Sequence, residues 1–164
     1  MKVRRVVTGQ TPDGNAVVAS DTEVEPILGD VPGTEFCKLW GADKVPMFPD
    51  DGSPQPAAAF VPPPGGFRFG LFTVPPTALA PSESRDAGAT PRAANHPGMH
   101  VSDTIDLEYV MSGEVWLELG DGHEVHLRPG DAVVQNGARH AWRNKGTEPC
   151  RMLVCMLGAR RKGV

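Results

Sequence analysis

The stretch from His96 to Asn144 constrains the fold more than any other part of the chain, because short apolar and polar runs alternate along it. Turn signals separate these runs at residues 112–113, 120–122 and 129–131. Short alternating runs at near-regular spacing are typical of an antiparallel β-sandwich or barrel. The sequence therefore predicts an all-β fold for this region, with essentially no helix.

Length and charge narrow the classes of function. A chain of 164 residues can bury the core of one ordinary domain. Its formal net charge of -4 argues against a nucleic-acid partner, because no basic field attracts phosphate. No apolar run approaches the roughly 18 residues that cross a bilayer, and no apolar segment typical of a signal peptide follows the first charges. Three cysteines without a C-x-x-C spacing suit a reducing compartment, so we expect a cytoplasmic protein with a small-molecule partner.

The first half of the chain alternates between strand-like runs and long loops. The predicted strands cover residues 3–7, 16–19, 34–40 and 67–74, the first two forming a hairpin. Residues 46–64 and 75–91 are rich in proline, which removes donors from a β-ladder, so we expect irregular loops there that cover part of the protein or move. We divide the single domain into residues 1–90, which pack on or swap with the barrel, and residues 91–164, the barrel core.

The second half predicts six further strands in quick succession. They cover residues 105–111, 114–119, 124–127, 132–135, 140–143 and 151–157. The first two of these are expected to form a hairpin around Ser112-Gly113. The last reads RMLVCML and is apolar on both faces, as in a strand covered on both sides. This run and the N-terminal VRRVV run could each pair with a second copy of the chain, so we predict a C2 homodimer.

Two segments of the second half resemble the sequence motifs of the cupin superfamily. His100 and the hairpin glycine Gly113 belong to the first motif, and the Pro129-Gly130-Asp131 turn, His140 and Asn144 belong to the second. The resemblance covers roughly the C-terminal half of the chain. It implies a double-stranded β-helix, or jelly-roll barrel, to which the N-terminal strands and the long proline-rich loops are added.

The first motif departs from the cupin pattern at two ligand positions. The usual second histidine falls on Ser102, and the usual glutamate falls on Asp106. In the second motif the segment from Gly130 to His140 is one residue shorter than usual, and Asn136 stands where proline is common. These departures weaken what the resemblance implies about a metal more than what it implies about the fold.

The remaining motif residues predict a metal site built from His100, Asp106 and His140. Residues two apart in a strand share a face, so Asp106 points the same way as Glu108, and His140 the same way as Trp142. Two acids on an inward face need a cation or protons to be tolerated. Imidazole and carboxylate ligands with open coordination positions suit a divalent ion such as Fe(II), Mn(II), Ni(II) or Zn(II).

A metal-free barrel is the alternative interpretation of the same residues. Asp106 would then be a hydrogen-bonded core carboxylate, and His140 a core histidine with its partners satisfied. In either case the residues expected to line the pocket are His96, Ser102, Thr104, Gln135 and Trp142.

The predicted ligands, two histidines and one aspartate, favour a small-molecule enzyme in which a metal ion polarises a carbonyl or carboxylate of the substrate. Glu108 or Asp106 would move protons, which suits a lyase, dehydratase, isomerase or decarboxylase. Two alternatives remain. One is an Fe(II)-dependent dioxygenase, which a complete set of four cupin ligands would have favoured more. The other is a metal-free module that binds a small organic ligand between apolar walls.

Overall fold

The computed structural model describes residues 2–29, 32–76 and 98–162, and the regular secondary structure in these ranges is entirely β. Eleven strands occur there: β1 (Val3–Gln10), β2 (Ala16–Val24), β3 (Ile27–Leu28), β4 (Glu35–Ala42), β5 (Phe67–Val74), β6 (Thr104–Ser112), β7 (Val115–Leu119), β8 (Glu124–Leu127), β9 (Ala132–Asn136), β10 (His140–Arg143) and β11 (Cys150–Gly158). The predicted all-β, jelly-roll fold is confirmed. No helix able to cross a membrane is found within the described ranges.

Two antiparallel sheets enclose the core. One has six strands in the order β3-β4-β5-β11-β6-β9, and the other has three in the order β10-β7-β8. Alternate residues of each strand point inward, and those of both sheets meet in one apolar cluster. Its buried members are Val74, Val110, Val115, Leu117, Leu127, Cys150 and Met152. The strands β1 and β2 pair separately as the predicted N-terminal hairpin.

The predicted hairpin between the strands flanking Ser112-Gly113 is wrong. β6 pairs with β9 and β11, whereas β7 pairs with β8 and β10, so this turn carries the chain from one sheet to the other. Gly113 has a φ of +72°, and a Cβ there would lie 2.5 Å from the carbonyl oxygen of Pro149. A glycine is required at this crossing because other residues would be strained and would clash.

The RMLVCML run lies in β11, which is an interior strand rather than a free edge. It is hydrogen-bonded to β5 on one side and to β6 on the other. As predicted, the strand is covered on both sides within its sheet, so any contact with a partner subunit would involve a face of the sheet and not an edge of this strand. The outer face of its neighbour β6 is apolar and exposed at Leu107, Tyr109 and Met111. An apolar patch of this kind commonly marks an interface.

The C2 homodimer stays a prediction, and we propose the exposed outer face of β6 as the surface on which it forms. Light scattering at micromolar concentration is expected to give twice the mass of the chain. Leu107→Glu should shift the protein toward the monomer, because it places a charge in the exposed apolar patch. A native protein that scatters as a monomer would contradict the prediction.

The first proline-rich segment, residues 46–64, is irregular as predicted but is packed against the sheet. The buried Arg68 donates from Nε to the carbonyl oxygen of Ala59 at 2.9 Å and from Nη2 to Asp43 at 2.5 Å. The bond to Ala59 holds the segment over the inward side of β5, whereas Asp43 directly follows the end of β4. Of the second segment, 75–91, all but the first two residues lie outside the described residues.

Asn144, the last residue of the second cupin-like motif, ties the end of β10 to two other parts of the chain. Its Nδ2 donates to the carbonyl oxygens of Val74, at 2.9 Å, and Glu148, at 2.8 Å. Its Oδ1 accepts from the backbone N–H of Gly146 at 2.9 Å. The side chain is 1% exposed and is fully engaged in holding this turn, which makes its role structural.

Asn144→Ala is expected to lower the free energy of unfolding by about 2–4 kcal/mol, because it leaves buried backbone groups without partners. Urea denaturation measures this loss. Asn136→Ala changes an exposed asparagine at the end of β9 and should alter stability by less than about 0.5 kcal/mol. Equal effects of the two substitutions would contradict the structural role of Asn144.

Candidate functional site

Two histidines meet inside the barrel. The backbone N–H of His100 donates to the carbonyl oxygen of His140 at 2.8 Å, and the N–H of His140 donates back at 3.0 Å. This isolated bridge brings the ring centroids to 4.3 Å from one another. His140 is 1% exposed and lies opposite Leu119 of β7, on the inward face of its sheet. The structure therefore brings together both histidines that the sequence predicted as ligands.

Backbone carbonyls orient both rings. Nδ1 of His100 lies 2.9 Å from the carbonyl oxygen of Gly98, and Nδ1 of His140 lies 2.9 Å from that of Ala138. A carbonyl oxygen only accepts, so Nδ1 is the donor on each ring, and Nε2 of a neutral ring keeps its lone pair. Burial, followed by the charge of His100, lowers the pKa of His140 to about 4. The His140 ring is therefore neutral near pH 7, in the form that binds a metal through Nε2.

Asp106 lies beside this pair on the inward face of β6. Burial raises the pKa of its carboxyl group, while the hydroxyls of Thr104 and Ser102 and the charge of His100 oppose the rise. Thr104 donates to Ser102 at 2.7 Å. The predicted pocket residues Ser102 and Thr104 thus adjoin the predicted ligand Asp106.

The rest of this wall is formed by Glu108 and Gln135. Glu108 follows Asp106 by two residues on β6, and Gln135 of β9 lies directly opposite Asp106. Burial, then the charge of Asp106, raises the pKa of Glu108 to about 8, so this carboxyl group is mostly protonated at pH 7. Among the described residues, no hydrogen-bond partner reaches three buried atoms here: Asp106 Oδ1, Glu108 Oε2 and Gln135 Nε2. Buried polar atoms are normally satisfied, so this wall is suited to face a bound species.

Trp142 lies on the inward side of β10, opposite Leu117. Its ring meets that of His140 edge to face, with centroids 5.9 Å apart. This is the arrangement expected of a residue lining the pocket. The remaining pocket candidate, His96, lies outside the described residues.

The side chains do not form a closed metal site as they stand. Within the described ranges, no three His, Cys, Asp or Glu side chains are arranged to hold a metal ion. The chemistry of the donor set nevertheless fits one, since it offers two imidazoles held through Nδ1 and a carboxylate oxygen without a partner. His100 thus pairs with His140 and also acts on Asp106 through its charge, so the donor types of a 2-His-1-carboxylate site occur around His100.

The carbonyl groups of Gly98 and Ala138 are functional features that the sequence pattern does not reveal. They orient the two rings, but any residue type carries a carbonyl, so no signal in the sequence could have found them. Gln135 was expected only to line the pocket. The pairing of β9 with β6 buries its side-chain amide, whose Nε2 has no hydrogen-bond partner among the described residues.

Comparisons with known proteins agree on the nature of the C-terminal half. The family model described as "Cupin domain" matches residues 87–156. The chain is 45% identical over 60 residues to the "Cupin-domain-containing oxidoreductase srdB" of Neurospora crassa, which is 36% of this chain and 31% of that protein. It is 34% identical over 91 residues to "Phomopsin biosynthesis cluster protein D" of Diaporthe leptostromiformis, which is 55% of this chain and 48% of that protein.

These matches span between 31% and 48% of the length of the two curated relatives. Solved structures with a similar chain include the polyketide cyclase RemF from Streptomyces resistomycificus, with a TM-score of 0.48 and 23% identity over 81% of this chain and 72% of that chain. Another is a Cupin 2 conserved barrel domain protein from Salinispora arenicola, with a TM-score of 0.45 and 17% identity over 85% and 92%.

Proposed function

The chain belongs to the cupin superfamily, its cupin domain covering residues 87–156, and on that premise we propose that it is a small-molecule enzyme using a divalent metal ion in the barrel. His100, Asp106 and His140 would hold the ion. One observation carries the proposal: two paired histidines are oriented through Nδ1 beside a buried carboxylate oxygen that no described residue contacts by a hydrogen bond. Iron, manganese, nickel and zinc all accept this combination of ligands.

The metal, when bound, would polarise a carbonyl or carboxylate oxygen of the substrate as a Lewis acid. Glu108 would give a proton to the substrate and take one back, because its carboxyl group faces inward two residues from Asp106 on the same strand. Trp142 would cover the His140 side of the pocket and keep water from it. These roles suit a lyase, dehydratase, isomerase or decarboxylase.

The names of the curated relatives support a role in small-molecule metabolism. Three are named for biosynthesis clusters, and one is named an oxidoreductase. The oxidoreductase name favours a second candidate, an Fe(II)-dependent dioxygenase built on the same donors. A third candidate is a metal-free module that binds its ligand between the same walls.

A measurement of metal content distinguishes the proposal of a metal-dependent enzyme from that of a metal-free binding module. Protein purified without chelator and without a nickel affinity column is expected to carry about one divalent ion per chain by elemental analysis. A protein that stays metal-free after incubation with each of the four metals would leave the binding module as the better proposal. If iron is the metal, oxygen consumption in the presence of candidate substrates would favour the dioxygenase, whereas turnover without oxygen would favour the lyase or isomerase class.

A further inference from the structure

Gln135 carries a buried hydrogen-bond donor for which the fold supplies no acceptor. The residue is 4% exposed and faces inward from β9. None of the described residues accepts a hydrogen bond from its Nε2. Burying an amide N–H without an acceptor costs free energy, so stability alone does not explain a glutamine at this position. An apolar side chain of the same size would pack there at a lower cost.

The position of Gln135 places this donor beside the proposed reaction site. Gln135 and Asp106 are direct partners across β9 and β6, and Glu108 is the partner of Val133 two residues earlier on β9. Directly opposed side chains lie about 4.5–5.5 Å apart at Cβ, and diagonal ones about 7–8 Å. One small molecule held against this wall could therefore contact the amide of Gln135 and the carboxyl group of Glu108 together.

In the metal-free protein, the charges of the side chains around this wall favour a neutral ligand over an anion. Among the described inward-facing residues of the six-stranded sheet, the positively charged side chains are Lys38 and Arg68. Lys38 donates to the carbonyl oxygen of Ala57, and Arg68 is engaged by Asp43 and by backbone carbonyls. Arg68 is therefore neutralised by Asp43, and Lys38 lies on β4, three strands from the β6 residues Asp106 and Glu108. Apolar side chains, Val154 and Met156, flank the wall on β11.

We propose that Gln135 binds the substrate by donating a hydrogen bond from Nε2 to the carbonyl or enol oxygen of a neutral molecule. The inference rests on the proposed function in placing the substrate beside Asp106 and Glu108, but it does not require that a metal be bound. It narrows the substrate class from carbonyl or carboxylate compounds to neutral ketones, aldehydes and enols. An amide N–H is suited to such an oxygen because it supplies a donor without a charge.

Three matched probes test the assignment: acetophenone, benzoate and ethylbenzene share a ring and differ in the group that Nε2 would meet. They are titrated into the ¹⁵N-labelled full chain, with and without zinc. The side-chain amide resonance of Gln135 is identified by its absence in Gln135→Met. Acetophenone is expected to shift this resonance in a saturable way, ethylbenzene to leave it in place, and benzoate to bind the zinc-free protein more weakly than acetophenone does. A shift of equal size with ethylbenzene, or tighter binding of benzoate by the zinc-free protein, would overturn the proposal.

The Gln135→Met variant distinguishes binding from a structural role. It is expected to weaken acetophenone binding about threefold to tenfold, the equivalent of one hydrogen bond. Its thermal midpoint should stay the same or rise, because an unmatched donor is removed, whereas a structural glutamine would make the variant less stable. Val134→Ala is the matched control, since Val134 is the preceding residue of β9, is 61% exposed and points away from the site. Unchanged affinity in Gln135→Met would overturn the assignment.

The metal proposal and the Gln135 proposal can fail separately. A protein that binds no metal but shows the acetophenone shift keeps the Gln135 assignment and loses the metal. A protein that binds metal but shows no shift at Gln135 loses the assignment alone. The wild-type titration decides this second point, and Gln135→Met is needed there only to assign the resonance.

Discussion

His140→Ala is expected to remove most of the metal bound by the native protein and to weaken metal affinity by more than about a hundredfold. Removing a group that merely orients a ligand typically costs 10- to 100-fold, and His140 is a proposed ligand itself. Its ring is 1% exposed, is oriented by the carbonyl group of Ala138, and faces His100 across the isolated bridge. The substitution would leave His100 and Asp106 as the proposed ligands. Elemental analysis after dialysis at a set free zinc concentration measures the loss.

His126→Ala is the matched control for this experiment. Its ring lies on the outer face of the three-stranded sheet, stacked on Trp116 with centroids 4.0 Å apart, and its Nε2 lies 2.8 Å from Glu114. The substitution removes a histidine without touching the barrel interior, so metal content should stay at the native level. If His140→Ala retained full metal, the enzyme proposal would lose its main support and the metal-free binding module would be favoured.

The chelator-treated protein is expected to become less stable by about 2 kcal/mol between pH 6.5 and pH 9, and Glu108→Gln should remove most of that loss. The pKa of Glu108 is raised to about 8 in the folded protein, from an ordinary value of 4.5. The folded state therefore holds this proton more tightly than the unfolded chain does. The stabilising contribution is complete below pH 4.5 and is lost as the pH rises through 8. Urea denaturation at a series of pH values measures it.

At acidic pH, His140 gives the free energy of unfolding the opposite dependence on pH. Its folded pKa, about 4, lies below the ordinary 6.5, so its contribution is present above pH 6.5 and is lost as the pH falls through 4. The metal-free protein should therefore be most stable at about pH 5 to 6. Glu148→Gln changes an exposed carboxyl group and should leave the difference between pH 6.5 and pH 9 unaltered. A native profile that is flat over this interval would contradict a buried, protonated Glu108.

The sequence alone determined most of the strands and which neighbouring residues share a face. The predicted strand at residues 67–74 coincides with β5, and the one at 140–143 with β10. Asp106 and Glu108 do lie on one inward face, as their spacing of two residues predicted. These features could be predicted because a strand is a local structure whose side chains alternate with a period of two, so the pattern along the chain is sufficient to find it.

Only the tertiary structure decided which face of each strand points inward and which strand it joins. The side chains of β5 alternate between two faces, and the sequence does not say which face is inside. The fold turns the buried Arg68 and Gly70 and the partly buried Phe72 inward. The chain crosses between sheets at Gly113 instead of forming a hairpin, because β6 pairs with β9 and β11, which come later in the chain, and not with β7. The histidine bridge and the unmatched amide of Gln135 depend on the same long-range pairings, whose register no local pattern contains.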